Sequence, residues 1–297
     1  MNAPALPPDP LSLADQIASL MAEDGVVESR IPGLVLMRSS TPTTRAPVIY
    51  QPSIYIVAQG EKRAYLGEQV YQYDALNYLV LPVPMPLEAE VIDASCEKPY
   101  FALRLVLDLA LLGELLLEMD MPSAAGSETS MRGIYVAPMD GDLEDVLQRL
   151  MRCLQEEGEE RSRVLGPLLI KEALYHLLRG PQGWQLHAFA QQHRHHHRIA
   201  QVLQLIQLSY EQTLEVSELA DLANMSASSL HHHFKAVTGL SPIQYIKTVR
   251  LHQARRLMLH DRKGISDAAF KVGYASPSQF SREYKRLFGL APSEDRL

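Results

Sequence analysis

The chain has 297 residues, enough for two ordinary domains, and 46% of them are hydrophobic, as expected of a protein with real cores. Its net charge of −7 is unevenly spread: residues 1–183 hold 14 Lys and Arg against 26 Asp and Glu, residues 184–297 hold 14 against 9. A net of −12 followed by +5 predicts an acidic body joined to a polyanion-binding module. Two cysteines, Cys96 and Cys153, exclude a disulfide framework and a four-thiolate zinc site.

The Pro-rich start, MNAPALPPDP, has no basic segment before an apolar core, so it does not read as a signal peptide and is expected to be disordered. Residues 11–24 read as a short amphipathic helix, with Leu13, Ile17, Leu20 and Met21 on one face. From Gly33 to about Leu107 short apolar stretches alternate with Pro and Gly, the texture of a compact antiparallel barrel or sandwich. The apolar run Leu103–Leu117 carries Arg104, Asp108 and Glu114 and is too short and too charged to span a membrane; a cytoplasmic protein without membrane contact is expected. Helical periodicity returns at Leu109–Leu117, Leu143–Leu154 and Leu165–Leu178. Arg179-Gly-Pro-Gln-Gly183 is a stop, and residues 184–198 read as a polar, histidine-rich linker.

From Ile199 onward the pattern is all helix. Ile199, Val202, Leu203 and Ile206 share one face. Ser217 is placed to cap a short helix, Asn224-Met225-Ser226 to turn the chain, and Ser226 to cap a second helix closed by Gly239. Ser241-Pro242 opens a long helix over Pro242–Leu259, broken by Asp261 to Gly264. The pattern then repeats: VSELADLANMSASSLHHHFKAVTG matches ISDAAFKVGYASPSQFSREYKRLFG, with Ala220 paired to Ala269, Leu230 to Phe280, Phe234 to Tyr284 and Gly239 to Gly289. Each copy is a short helix, a tight turn and a second helix with a polar, basic outer face, which is the helix-turn-helix plan. Two copies are too few for a solenoid.

These two units, with SPIQYIKTVRLHQARRLML between them and GYASPSQFSREYKRLFG in the second, resemble the AraC/XylS family of transcription regulators over residues 199–292. The usual Gly-aromatic turn stands as Gly273-Tyr274, whereas the first unit has Asn224-Met225, a mild departure because Asn tolerates left-handed backbone. The resemblance implies that each second helix enters a major groove, successive grooves on one face being about 34 Å apart. It places base-reading side chains at Ser228, His231 and His232, then at Ser278, Gln279 and Arg282. Arg282 has the geometry for guanine and Gln279 for adenine; the histidines are less decodable. Lys235, Arg250, Arg255, Lys285 and Arg286 are expected on phosphates, which position without specifying. Three adjacent helical histidines, His231-His232-His233, point about 100° apart and do not converge on a metal ion.

The segment Pro52–Val91, followed by PYFALRL, resembles the cupin-like N-terminal domain of AraC-type regulators, implying a small-molecule effector of unknown identity, a homodimer, promoter DNA and RNA polymerase as partners, and no cofactor. The fold expected is therefore α+β in two domains: a cupin-like β-barrel with helices over 1–183, a linker over 184–198, and an all-α double helix-turn-helix domain over 199–297. Metal-dependent cupin enzymes cluster histidines, and the first 175 residues contain none. Nor does Cys96 or Cys153 sit in the Pro-Cys-His setting of a DNA-repair methyl acceptor, so no catalysis is expected. Cys96 reads as a small core thiol. Tyr55, Lys62, Arg63, Tyr65 and Arg104 are candidate effector groups of the barrel, with Lys62 and Arg63 reading better as surface cations; Arg104 needs a partner because it lies inside an apolar strand. The helices at Leu143–Leu154 and Leu165–Leu178 either form the dimer face or cover the barrel. A regulator whose N-terminal domain only dimerises is the alternative.

Overall fold

Ser12 opens helix α1 (Leu13–Leu20): its hydroxyl accepts from the Asp15 amide at 3.1 Å and the Asp15 carboxylate accepts from the Ser12 amide at 3.2 Å, closing a capping box. The computed structural model describes residues 11–119, 133–156, 158–190, 195–259 and 261–295; the expected disorder of residues 1–10 lies outside them. Ten strands follow among the described residues: β1 (Gly25–Glu28), β2 (Leu34–Ser39), β3 (Ala46–Tyr50), β4 (Ser53–Gln59), β5 (Glu61–Leu66), β6 (Gln69–Asp74), β7 (Asn77–Leu81), β8 (Met85–Asp93), β9 (Tyr100–Val106) and β10 (Tyr135–Pro138). They form a six-stranded antiparallel sheet, β1-β2-β9-β4-β7-β10, and a four-stranded one, β3-β8-β5-β6. The expected cupin-like architecture is thus two sheets face to face, with no pairing between them among the described residues.

Period-2 alternation decides which residues face which layer. On the larger sheet Ile54, Ile56, Leu103 and Leu105 point to one side, against α1, α3 (Gly141–Gln155) and α4 (Glu160–Arg179). Their neighbours Tyr55, Val57 and Ala102 point to the other, between the sheets. Asp140 caps α3 through the Leu143 amide (2.8 Å), and Asp108 caps α2 (Leu109–Glu118) through the Ala110 amide (2.8 Å).

Residues 184–198 correct the expectation of a polar linker over their described part. Helix α5 (Gly183–Ala190) buries Leu186, His187, Ala188 and Phe189, and α6 (His195–Ser209) begins at the next histidines, with His196 buried. Five further helices follow α6 among the described residues: α7 (Val216–Leu222), α8 (Ala227–Thr238), α9 (Pro242–Leu259), α10 (Ile265–Lys271) and α11 (Pro277–Phe288). Ser217 is not the cap of α7; Glu215 is, its amide bonded to the Glu218 carboxylate at 3.3 Å. Ser226 and Ser276 cap α8 and α11, and Ser241 and Gln244 form a capping box at α9. Cys96 lies exposed between β8 and β9, which corrects its reading as a core thiol, and Cys153 is buried.

One apolar core runs from between the sheets into the first helix-turn-helix unit. It joins Leu66, Val83 and Met85 to Ile199, Leu203, Leu230, Phe234, Val237, Tyr245 and Ile246. The Tyr245 hydroxyl donates to the Pro84 carbonyl at 3.0 Å and the Gly133 amide to the Val237 carbonyl at 3.0 Å. A Cβ on Gly133 would lie 2.5 Å from Val83 and 2.8 Å from Met85, so only glycine permits that approach. The second unit has its own core: Leu251, Ala254, Leu257, Met258, Ala268, Ala269, Val272, Tyr274, Phe280 and Tyr284.

Beside this second core His252 packs edge-on to Phe288, its Nε2 buried without a hydrogen-bond partner. Burial, helped by Arg255, pushes its pKa down to about 4. The unfolded chain takes up a proton near pH 6.5 that the folded chain refuses, so stability is lost as pH falls from about 6.5 towards 4, by about 3 kcal/mol at the lower end. Denaturant titrations at pH 7 and near pH 4.5 are expected to show a smaller pH-dependent loss for His252→Gln than for the natural chain; equal losses would contradict it.

Candidate functional site

Each unit turns its second helix outward by the same device. The turn between α7 and α8 places Asn224 at φ 49°, and that between α10 and α11 places Gly273 at φ 86°, so the mild departure noted in the sequence is accommodated as left-handed backbone. A Cβ at Gly273 would also meet the Glu211 carbonyl at 2.4 Å. Gly239 and Gly289 then end α8 and α11 with φ of 74° and 78°.

With Leu230, Phe234 and Val237 sunk in the shared core, α8 exposes Ser228, His231, His232 and Lys235, which with Ala236 line one shallow depression. On α11 the buried Phe280 and Tyr284 leave Ser278, Gln279, Arg282, Lys285 and Arg286 on the open side. All six expected base readers therefore lie on solvent-facing sides of the two second helices, together with three of the five expected phosphate contacts. His233 turns inward instead and stacks on His195, ring centroids 4.4 Å apart and 16° from parallel.

Arg250 and Arg255 correct the phosphate expectation. Arg250 spends its guanidinium on three carbonyls: Tyr210 (2.6 Å) and Gln212 (2.8 Å) before the first unit, and Gly273 (3.1 Å) in the turn of the second. It ties the two units together. Arg255 grips both oxygens of Asp295, at 2.7 and 3.0 Å, and lies over the Phe288 ring. Both guanidiniums are thus engaged within the chain. Missed in the sequence was a cluster around Glu283. Lys247 of α9 donates to its Oε1 at 2.8 Å, Gln279 donates to the same oxygen at 3.1 Å, and the Tyr274 hydroxyl donates to Oε2 at 2.9 Å. Burial raises the Glu283 pKa, but these donors outweigh it and hold the carboxyl below its ordinary value. The i, i+4 spacing of Gln279 and Glu283 was the available signal.

Strand parity divides the expected effector residues. Lys62 shares a face of β5 with the buried Ala64 and Leu66, and its ammonium lies 5.4 Å from the Tyr50 ring centre. Tyr55 and Arg104 pair across β4 and β9 and face the space between the sheets. Arg63 and Tyr65 point outward instead, Arg63 paired with Glu61 and Tyr65 bonded to Glu90, with Arg45 over the Tyr65 ring; this corrects Tyr65 as an interior candidate and Lys62 as a surface cation, and agrees with the surface reading of Arg63. The sequence reading missed Tyr50, Tyr73 and Tyr100, inward by the same alternation. Tyr50 stacks on Tyr55 (4.6 Å), and its hydroxyl meets that of Tyr73 at 3.1 Å. Burial raises the pKa of Tyr55, Tyr73 and Tyr100, so these hydroxyls keep their protons at neutral pH. Arg104 bonds Glu28 at 3.3 Å, yet its Nε and the Tyr100 hydroxyl are buried without a hydrogen-bond partner. Interior tyrosines and two cations thus face one another.

Two capped helix-turn-helix units behind a cupin-like sheet domain define a class of DNA-binding fold. Residues 30–185 match the N-terminus of AraC-type transcriptional regulators, and residues 219–297 match a helix-turn-helix domain. The chain belongs to the AraC-type transcriptional regulator family. It is 28% identical over 168 residues to the HTH-type transcriptional activator RhaS of Yersinia pestis (strain Pestoides F), covering 55% of this chain and 60% of that protein. The chain thus matches less than two thirds of the length of that relative. With the virulence regulon transcriptional activator VirF of Yersinia enterocolitica it shares 26% identity over 271 residues, 89% of this chain and 96% of VirF. Its fold is similar to ToxT of Vibrio cholerae: the apo structure of a ToxT point variant has a TM-score of 0.59 at 11% identity over 90% of this chain and 98% of ToxT. The unsaturated fatty acid-bound ToxT structure gives 0.57 at 12% identity, over 88% of this chain and 92% of ToxT. Among the described residues no helix is long and apolar enough to cross a membrane.

If Arg250 is a strut and Lys285 a phosphate contact, they fail differently. Arg250→Ala is expected to lower the thermal midpoint and leave the salt dependence of DNA binding unchanged. Lys285→Ala is expected to leave the midpoint in place and reduce the log–log salt slope by about one. Binding isotherms at several salt concentrations, beside thermal melts, check both.

Proposed function

We propose that the chain is a sequence-specific DNA-binding transcriptional regulator that reads two adjacent major-groove segments of double-stranded promoter DNA, one with α8 and one with α11. The observation that carries this reading is the pair of open faces: Ser228, His231, His232 and Lys235 on one helix, Ser278, Gln279, Arg282, Lys285 and Arg286 on the other. Each is uncovered while the opposite side of its helix is buried in a core. Arg282 reads guanine and the lysines and Arg286 hold phosphates. Selection of duplexes from a randomised pool tests it. Arg282→Ala is expected to cost about 1–3 kcal/mol and to relax preference at a single base position. Weakening spread evenly over all sequences would remove Arg282 as a reader.

The sheet domain, in this reading, senses an anionic small molecule between the sheets. Support comes from Arg104, Lys62 and the unpartnered Tyr100 hydroxyl among inward tyrosines, and from the similar fold of ToxT, which has been crystallised with an unsaturated fatty acid. Aliphatic carboxylates of increasing chain length, added to the full chain, are expected to raise its thermal midpoint, and Arg104→Ala to abolish the rise. No rise with any of them favours the alternative, a regulator whose sheet domain only dimerises.

A homodimer is supported by α4, where Val164, Leu168 and Tyr175 stand exposed on the outer side, whereas the apolar face of α3 is covered by α1, α4 and the sheet. Sedimentation of the full chain at monomer mass over micromolar concentrations would remove the dimer. RNA polymerase is the partner that a promoter-bound regulator implies, and transcription from a template carrying the selected site tests that contact.

A further inference from the structure

We infer that Glu283 is a positioning residue that fixes which way the Gln279 amide faces, and so sets the base preference of the second reader helix. The inference rests on the proposal that Gln279 reads a base. A glutamine amide presents an oxygen acceptor and two N–H donors, and its two ends are nearly equal in size, so an unconstrained Gln279 would offer either end to the groove. Glu283 removes that freedom. Its ionised carboxylate only accepts, so the amide nitrogen of Gln279 must turn toward it, and the structure has that bond at 3.1 Å.

Glu283 is itself held. Lys247 from α9 and Tyr274 from the turn donate to its two oxygens at 2.8 and 2.9 Å, and its side chain is 13% exposed. The carboxylate is therefore fixed from the helix between the units and from the turn of its own unit, and is too recessed to meet a base edge itself. Lys247 also offsets a negative charge that would otherwise stand near DNA phosphates. With the nitrogen anchored, Oε1 and the second amide hydrogen remain for the groove in one fixed order. That order suits adenine, which offers an N6 donor beside the N7 acceptor, and disfavours edges with carbonyl oxygens where Oε1 points. The rotamer freedom of Gln279 is spent before DNA arrives, so the contact forms at lower entropic cost.

The test is selection from randomised duplexes with the full chain as natural protein, Gln279→Ala, Glu283→Gln, Glu283→Ala and the Gln279→Ala/Glu283→Ala double variant, each with a thermal melt. Gln279→Ala is expected to level the preference at one base position. Both Glu283 variants are expected to lower preference at that same position by about fivefold or more, and to keep the position read by Arg282 within about twofold. Glu283→Gln keeps the volume and one of the two acceptor oxygens, but its amide can also donate to Gln279 and let that amide reverse; it guards against a Glu283→Ala chain that folds poorly. The double variant is expected to match Gln279→Ala alone, since the two act as one unit. Losses that add in the double variant, equal weakening at every position, or a profile unchanged by Glu283→Gln would overturn the inference while leaving Gln279 a reader. A profile unchanged by Gln279→Ala overturns both, and does so by a separate result.

Discussion

The burial of one side of the first helix-turn-helix unit in the space that begins between the two sheets is the constraint on which the molecule's organisation depends. Leu66, Val83 and Met85 from strands and their connections meet Phe234, Val237, Tyr245 and Ile246 from α8 and α9 in a single core. A buried side chain of this size contributes about 1.5–3 kcal/mol, so the contact is far stronger than a tether of flexible residues. Tyr245 and Gly133 add direction, each with a backbone hydrogen bond across the junction. The apolar faces of α8 and α9 are thereby occupied, and the polar face of α8 is left to solvent. Geometry at the first reader is thus inherited from the sheets.

The second reader is held by different means. Its core is separate; its orientation relative to the first unit is set by α9, which packs into both cores, and by polar contacts: Arg250 on the carbonyls of Tyr210, Gln212 and Gly273, and Lys247 on Glu283. Hydrogen bonds from charged donors are directional and individually modest. They fix an angle between two bodies without merging them. Hence α9 serves both units: Tyr245, Ile246 and Val249 fill the first core, Leu251, Ala254, Leu257 and Met258 fill the second, and Lys247 and Arg250 add the basic groups that aim the second reader.

Much of this was legible in the sequence, and the exceptions have physical causes. Caps at Ser226 and Ser241, the two turns and the Pro242–Leu259 helix were readable because capping and turn chemistry act within a few residues. The stretch 184–198 was misread because its polarity was judged from composition: His187 and His196 are buried, and α5, surrounded by other helices, has no one-sided apolar stripe to announce it. Arg250 and Arg255 looked like phosphate contacts because a charge is visible in sequence and its partner is not; Gly273 lies 23 residues away and Asp295 lies 40. Lys62 and Arg63 are neighbours with opposite fates, and the alternation with Ala64 and Leu66 separates them once β5 is recognised. Tyr50, Tyr73 and Tyr100 escaped notice because a strand tyrosine reads as ordinary core until facing hydroxyls gather around it.

The division into a shared core and a private one also bears on how such a chain can diverge. Substitutions beneath α11, at Phe280 or Tyr284, disturb a cluster of ten buried residues set apart from the one between the sheets. Substitutions beneath α8 are felt by the strands, and through them by anything the sheets hold. The second head is therefore free to drift toward new promoters at small risk to the rest, whereas the first must change in step with the sensor it is fused to.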